Sequence, residues 1–329
     1  MAATIRDVAR AAGVSPSTVS RALALSELVT ATTRDRVLQA ARELGYEPNR
    51  AARGLVTGRT HNLGLIVPDL ANPFFPGIVK GVQARAHDAD HAVFVADTDE
   101  DAVAEVKLAR TLAKQVDGMI LCSTRMGDAE LRALAADIAV VVMNRRVDGI
   151  AAINVDNVGG MRQAAGHLAA LGHRRIGYAA GPSNAWASQQ RLDGLRGATA
   201  GLGVELVELG NFAPVFASGV AAADLALAAG TTAVIGYNDV VALGLLSRLS
   251  GRGVAVPDRV SVVGCDDIAL SAMCSPSLTT IALPQERAGR AAVDLLLSLL
   301  NDRAAGGGVA LELETQLVVR ASTGPAPDG

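Results

Sequence analysis

The sequence predicts an α/β protein in which an all-α helix-turn-helix headpiece precedes a two-lobed core of doubly wound parallel sheets. Three observations predict it. Residues 1–47 carry apolar side chains at helical spacing, interrupted by a glycine. From Asn62 onward short Val, Ile and Leu runs alternate with amphipathic segments, which is the pattern of βαβ units. That alternation occurs in two sets of similar size, and 329 residues leave room for two or three domains at roughly 100 to 200 residues each.

Ile5, Val8, Ala9 and Ala12 fall at i, i+3, i+4 and i+7, one face of a first helix. Gly13 breaks it. Ser15 followed by Pro16 reads as an N-cap with proline in the first turn, where a missing N–H costs nothing, so a second helix runs from Pro16 through Leu23. Two short helices joined by a glycine-containing turn describe a helix-turn-helix or, on spacing alone, an ordinary helical hairpin. A third amphipathic segment, Thr33 to Leu44, closes the bundle before Gly45. Residues 48–61 (PNRAARGLVTGRTH) are polar and basic with two glycines, a linker with some helical potential.

The core then reads as strand LGLIV and helix FPGIVKGVQARAHD, AVFVAD and DAVAEVKLARTLAK, GMILC and DAELRALAA, AVVVMN and GGMRQAAGHLAALG. A second set follows: RIGYAAG, QRLDGLRGATAGLG, VELVELG, SGVAAADLALAAG, TAVIGYN, DVVALGLLSRLSGRG and VSVVGCD. Ligands of open α/β sheets bind beyond the carboxyl ends of the strands. The segments Pro68–Phe75, Asp97–Asp99, Asn144–Arg146, Gly181–Arg191, Asn238 with Asp239, and Asp266 with Asp267 are therefore expected to converge on a cleft between two lobes.

Composition narrows the function classes. Hydrophobic residues make up 50% and aromatics only 3%, so the few aromatics in loops, Phe74, Phe75 and Trp186, are informative. The formal charge of -3 hides an asymmetry: residues 1–60 hold nine arginines against five acids, and the rest holds twenty-one Lys or Arg against twenty-eight acids. Cys122, Cys265 and Cys274 are too few and scattered for a disulfide framework or a zinc site, which suits a reducing cytoplasm. The N-terminus, with Arg6, Asp7 and Arg10, lacks a signal-peptide core, and no apolar run approaches the ~20 residues that span a bilayer. Membrane association is not expected. There is no GxSxG, P-loop or HExxH, and His61, His87, His91, His167 and His173 show no metal-ligand spacing, so neither catalysis, a metal nor a cofactor is expected.

The segments TIRDVARAAGVSPSTVSRAL, PNRAARGL, GLIVPDLANPFF, VGCDD and SPSLTTI, in that order, closely resemble the LacI/GalR family of bacterial transcription repressors over essentially the whole chain. The first is a specific helix-turn-helix signature; the later ones are shared in part with periplasmic sugar-binding proteins. The resemblance implies a DNA-binding headpiece, a hinge helix, a periplasmic-binding-protein-like effector core and a homodimer or tetramer. Its partners would be operator DNA and a small-molecule effector, a sugar or sugar derivative. The expected boundaries are 1–47 for the headpiece, 48–61 for the hinge and 62–329 for the core, whose first lobe is 62–157 plus 285–312 and whose second is 158–284 plus 313–324. A cytoplasmic solute-binding protein without a DNA role, or a regulator with a phosphoprotein corepressor, are the alternatives.

A recognition helix enters the major groove by its N-terminal residues, which here are Ser15, Ser17, Thr18 and Arg21; Thr4, Ser20 and Ala52 join them by resemblance. Arg21 suits bidentate pairing with a guanine edge, or is a solvated helix charge. By resemblance Leu55 is a minor-groove wedge, the alternative being packing against the core; Gly54 costs ~1 kcal/mol in a helix, so this hinge is expected to fold only on DNA. The resemblance also assigns Asn144, Arg145, Arg191, Asn238 and Asp266 as polar ligand contacts and Phe74, Phe75 and Trp186 as apolar walls. Amides, carboxylates and a guanidinium match sugar hydroxyls, and aromatic faces cover the C–H side of a ring.

Overall fold

A computed structural model of the chain describes residues 3–24, 29–46, 59–302 and 308–327. It divides into two compact units, Met1–Asn62 with Gln115–Asp117 and Leu63–Lys114 with Gly118–Gly329.

In the first unit, α1 (Ile5–Ala12), α2 (Pro16–Ala24) and α3 (Ala31–Glu43) pack together. Thr4 opens α1, donating from its backbone and its hydroxyl to the Asp7 carboxylate at 3.0 and 2.6 Å. Gly13 ends it at φ 61, a left-handed conformation that a side chain would strain. Arg36 donates to the Ala12 carbonyl at the same turn and so fixes α3 against it. Ser15 caps α2, accepting from the Thr18 backbone at 3.1 Å. α3 starts two residues before Thr33, because Thr30 supplies the N-cap while the core-facing residues begin only at Val37. The bundle core is Val8, Ala9, Ala12, Val19, Ala22, Val37, Ala40 and Ala41. Ala52 and Leu55 lie outside the described residues.

In the second unit the chain builds one six-stranded sheet and then another. The first lobe contains β1 (Asn62–Val67), α4 (Phe74–Asp88), β2 (Ala92–Asp97), α5 (Ala102–Leu112), β3 (Gly118–Cys122), α6 (Asp128–Asp137), β4 (Ala139–Met143) and β5 (Ala151–Val155). The second contains α7 (Asn157–Ala170), β6 (Arg175–Ala180), α8 (Trp186–Leu202), β7 (Glu205–Asn211), α9 (Phe216–Ala228), β8 (Ala233–Gly236), α10 (Asp239–Gly251), β9 (Ser261–Asp266), α11 (Ala269–Met273) and β10 (Thr279–Ala282). The chain then crosses back: α12 (Gln285–Asn301) packs on α4, and β11 (Ala310–Leu313) joins the first sheet parallel to β5. A last crossing brings β12 (Gln316–Val318) antiparallel to β10.

The orders are β2-β1-β3-β4-β5-β11 and β7-β6-β8-β9-β10-β12, the same winding twice. Strands β1, β3 and β4 are buried along nearly their whole length, as expected for a parallel sheet covered by helices on both faces. Among the described residues no helix is long and apolar enough to cross a membrane. The sequence pattern does not announce β5, β10, β11 or β12, which are three to five residues long.

The final described segment is strapped to the second lobe. The Ser322 hydroxyl donates to the Val262 carbonyl at 2.6 Å and accepts from the Thr279 backbone at 2.8 Å. Buried His173 stands 2.9 Å from the Thr232 hydroxyl through Nδ1 and 3.1 Å from the Gly324 carbonyl through Nε2. A carbonyl only accepts, so Nε2 carries the proton and Nδ1 accepts from Thr232. Burial holds the His173 pKa below the ordinary histidine value, with the Gly324 bond opposing, and burial lowers that of neighbouring His167 too. Both are neutral in the folded state and gain protons more readily once unfolded, so their contribution is present above about pH 6.5 and is lost as pH falls below it. The urea midpoint is expected to drop between pH 7.5 and 5.5, and His173→Gln should lose part of that slope; equal slopes in the two proteins would contradict the assignment.

Candidate functional site

In a sheet wound in this order the loops diverge between the first strand and its two neighbours, leaving a crevice at the carboxyl edge. Both lobes have that crevice, and between them lies a small cavity of about 30 Å³. The loops after β1, β2, β3 and β4 supply one side, and those after β6, β7, β8 and β9 the other.

Arg191 on α8 anchors the second-lobe side. It is 3% exposed, and its Nε donates to Asn157 Oδ1 at 2.8 Å and Nη1 to the Tyr237 carbonyl at 2.5 Å. Its Nη2 stands 3.7 Å from Asp266 Oδ1, and the guanidinium lies 4.8 Å from the centre of the Tyr237 ring. That ring needs Gly181 beneath it, because a Cβ there would come within 2.5 Å of ring atoms. Burial pushes the Asp266 carboxyl well above the carboxylate range, Arg191 pulls it down, and Asp239 adds a smaller upward push. Asn238 caps α10, its Oδ1 accepting from the Val241 backbone at 2.9 Å. Its amide nitrogen is left as the group it offers the cavity.

The first-lobe side is organised around Arg125, whose Nε donates to Glu100 Oε2 at 2.7 Å and Nη1 to the Ser123 carbonyl at 2.7 Å. Glu105 orients that loop from below: its carboxylate accepts from the Arg125 and Met126 backbones at 2.8 and 3.1 Å. Burial raises the Glu105 pKa. Asn144 donates to the Ser123 hydroxyl at 3.3 Å. Phe74 and Phe75, edge to face with centroids 5.2 Å apart, present apolar walls.

Backbone conformation sets these residues apart. Glu100 (φ 60), Ser123 (φ 48), Asn144 (φ 51) and Asp266 (φ 135) all line the cavity in the left-handed half of conformational space. For residues with a Cβ such conformations are uncommon and cost on the order of 1 kcal/mol or more, and they cluster at binding sites where surrounding structure fixes them.

Of the eight ligand positions named from the sequence, Phe74, Phe75, Asn144, Arg191, Asn238 and Asp266 line the cavity; Arg145 and Trp186 do not. Arg145 turns to Asp128, donating from Nη2 at 2.7 Å. Trp186 opens α8, and the next residue, Ala187, lines the cavity in its place, since successive helical side chains point about 100° apart. The partners of two paired loop residues also divide. Asp239 is a structural tie, accepting from the Ile268 backbone and the Ser271 and Thr280 hydroxyls at 3.0, 2.6 and 2.5 Å, and Asp267 binds Arg320 at 2.6 Å. Ser123 and Arg125 were not anticipated, although the strand-end rule applied to GMILC points to them; Asn72, Glu100 and Tyr237 also line the cavity.

On the headpiece, Ser17 and Arg21 lie on the exposed side of α2, opposite buried Val19 and Ala22; Thr18 and Ser20 are half-buried. Ser15, Ser17 and Thr18 share hydroxyl hydrogen bonds at 2.8 Å, and Thr4 is engaged with Asp7. Arg21 has no ion pair among the described residues.

The pattern of bacterial regulatory proteins of the lacI family matches residues 4–49, and that of the periplasmic binding protein-like domain matches residues 165–323. The chain is 34% identical to the HTH-type transcriptional repressor CytR of Escherichia coli K12, over 99% of this chain and 98% of that protein. Among solved structures it is similar to the lac repressor dimer bound to operator and the anti-inducer ONPF (TM-score 0.86, 29% identity, 98% of this chain and 100% of that one). It is also similar to a transcriptional regulator CelR–cellobiose complex (TM-score 0.73, 33% identity, 97% of this chain and 99% of that one).

Two glycines provide a matched test of the cavity floor. Gly181→Ala drives a methyl group into the Tyr237 ring and is expected to destabilise by about 1–3 kcal/mol through overpacking. Gly197, inside α8 with nothing within 4 Å, should accept alanine with a gain of about 0.5–1 kcal/mol. Urea denaturation of both variants checks the contrast; equal effects would mean that Tyr237 is not held against Gly181.

Proposed function

Because the chain belongs to the lacI family of bacterial transcriptional regulators, we propose that it represses transcription from a pseudo-palindromic operator as a cytoplasmic homodimer, under control of a sugar bound between the core lobes. The observation that carries the sugar reading is the chemistry of the cleft. Two guanidiniums, two carboxylates and several amides are held in fixed orientation between apolar walls. Directional donors and acceptors of both kinds match vicinal hydroxyls, and Phe74 and Phe75 suit the C–H face of a ring. The structure of a relative solved with cellobiose points the same way.

On the headpiece, Arg21 is the base-reading side chain in this proposal. It is exposed and long enough for a guanine edge, whereas the Ser15, Ser17 and Thr18 hydroxyls are engaged with one another. Thr4, Ser15, Ser17, Thr18 and Ser20 serve phosphates or local geometry, and Ala52 and Leu55 belong to a hinge helix in which Leu55 wedges the minor groove. A dimer is required because one short headpiece covers too little surface for a tight specific site. Ligand closure of the lobes biases the hinge between ordered and disordered states.

The DNA half is tested by competition gel shift at fixed salt on an operator selected from random sequence. Arg21→Ala is expected to lose most of the discrimination between operator and random DNA, and Leu55→Ala to weaken operator binding while ligand binding stays intact. Discrimination unchanged in Arg21→Ala would remove its base-reading role.

The ligand half is tested by calorimetric titration of sugars, with purine bases as a contrasting class. Arg191→Ala or Asp266→Ala leaves a partner unpaired in the cleft, a penalty of roughly 1–3 kcal/mol, so affinity should fall about ten-fold or more. Binding unaffected by either change would reject this site, and a purine bound through both residues would keep the site and change its ligand class.

A further inference from the structure

In the first lobe α12 covers α4, whereas a groove of about 740 Å³ stays open between α5 and α6. α5 lines it with Ala102, Val103, Val106, Lys107 and Arg110, and the turn after α5 adds Lys114. Recurrence at three to four residues makes these one helical stripe, about 18 Å long from Ala102 to Lys114 at ~1.5 Å per residue. Two chemistries run along it side by side. The floor is apolar: Val103 is 80% exposed, the most of any large hydrophobic side chain among the described residues, and Val106 and Met126 continue it inward. The rim is cationic. Lys107, Arg110 and Lys114 are exposed, and none of them has an ion pair among the described residues. Among the lining residues Glu130 is the one carboxylate, and it folds back over Gly127, where an added Cβ would stand 2.5 Å from its Oε2.

The stripe sits on a helix that is already fixed. Asp101 caps α5, accepting from the Val103 and Ala104 backbones at 2.7 and 3.2 Å. On the inner side of the same helix, buried Glu105 accepts from the Arg125 and Met126 backbones. The cations therefore project from a preformed surface.

We propose that this groove docks an acidic amphipathic helix of a partner protein, with apolar side chains over Val103 and Val106 and carboxylates along Lys107, Arg110 and Lys114. A helix of about three turns matches the length of the stripe, and helix-in-groove recognition uses anchors at this spacing. Charge selects the sign of the partner. Residues 61–329 hold twenty-one Lys or Arg against twenty-eight acids, so three unpaired cations beside one carboxylate stand out from an acidic core and complement a negative surface. A small metabolite fits less well, because such sites enclose the ligand among fixed polar groups, and here the polar groups are the exposed ends of long side chains. A single-stranded nucleic acid would use aromatic side chains for stacking, and none lines this groove.

The test is fluorescence anisotropy of the full chain with a labelled amphipathic peptide of about 14 residues, carrying leucine at i, i+3, i+4 and i+7 and glutamate beside that stripe. A second peptide has glutamine for every glutamate. The acidic peptide is expected to bind about ten-fold tighter or more than the glutamine one, and to weaken as salt rises. Lys107→Glu with Lys114→Glu should lower its affinity about ten-fold or more, and Val103→Asp about three- to ten-fold. All three side chains are exposed, and unchanged urea midpoints check that the variants fold. Position is read independently, because the chain has three lysines, Lys80, Lys107 and Lys114. Carbodiimide coupling of the peptide carboxylates should fall on Lys107 and Lys114 and spare Lys80, which is exposed on α4. Equal binding of the two peptides, coupling at Lys80 alone, or binding that survives both variants overturns the groove. A random-sequence DNA duplex that displaces the peptide and loses affinity in the double variant makes nucleic acid the occupant. Self-association seen by sedimentation and lost in the double variant makes a second copy the occupant, and either result overturns the partner helix.

Discussion

The guanidinium of Arg191 has been taken out of water and given three partner residues from three different parts of the second lobe. Asn157 begins α7, Tyr237 follows β8, Asp266 ends β9, and the Tyr237 ring under the cation is seated on Gly181 after β6. A buried cation tolerates little displacement, since loss of a partner leaves an uncompensated charge. The loops that would otherwise end independently at the edge of the sheet are thus held to one centre. Arg125 plays the equivalent part in the first lobe, joining the loops after β2 and β3 through Glu100 and the Ser123 carbonyl. The cleft is therefore preorganised on both walls, and ordering costs that a ligand would otherwise bear are met by folding.

The winding of the chain was legible in its residues wherever an apolar run was long enough to stand out. The strands LGLIV, GMILC and AVVVM are continuous apolar stretches, and their burial on both faces is why. AAINV, the strand β5, did not stand out because alanine and asparagine are weak strand formers, and its place in the sheet comes from neighbours on either side. QLV and ALEL sit at sheet edges and are specified by pairing, a non-local property that no local pattern carries.

The site was legible to the extent that strand ends announce it. Asn144 stands one residue and Asn238 two residues beyond a strand, Asp266 ends one, and all three line the cavity. Arg145 shows the limit: adjacency in sequence to Asn144 says nothing about direction, and Asp128 on α6 is a nearer partner for its guanidinium. Tyr237 lay hidden because its importance depends on Gly181, 56 positions earlier in the chain. The positive φ values of Ser123 and Asn144 likewise cannot be read from residue type, although asparagine adopts them more readily than most.

The three crossings between lobes, after β5, after β10 and after β11, bear on how the polypeptide is made. Neither lobe is contiguous: the first sheet is missing an edge strand and its covering helix until residues 285–313 have been added, and the second opens only after the first has been interrupted. Synthesis proceeds from the N-terminus, and domains generally fold as units while it does so. The headpiece, with a core confined to residues 8–41, can close early on the ribosome. The first lobe must wait, with the α4 surface that α12 will cover still open to solvent, until nearly the whole chain has emerged. A premature stop between β10 and α12 therefore removes more than the missing residues: it leaves both sheets incomplete, and the apolar face of α4 becomes a target for chaperones and proteases.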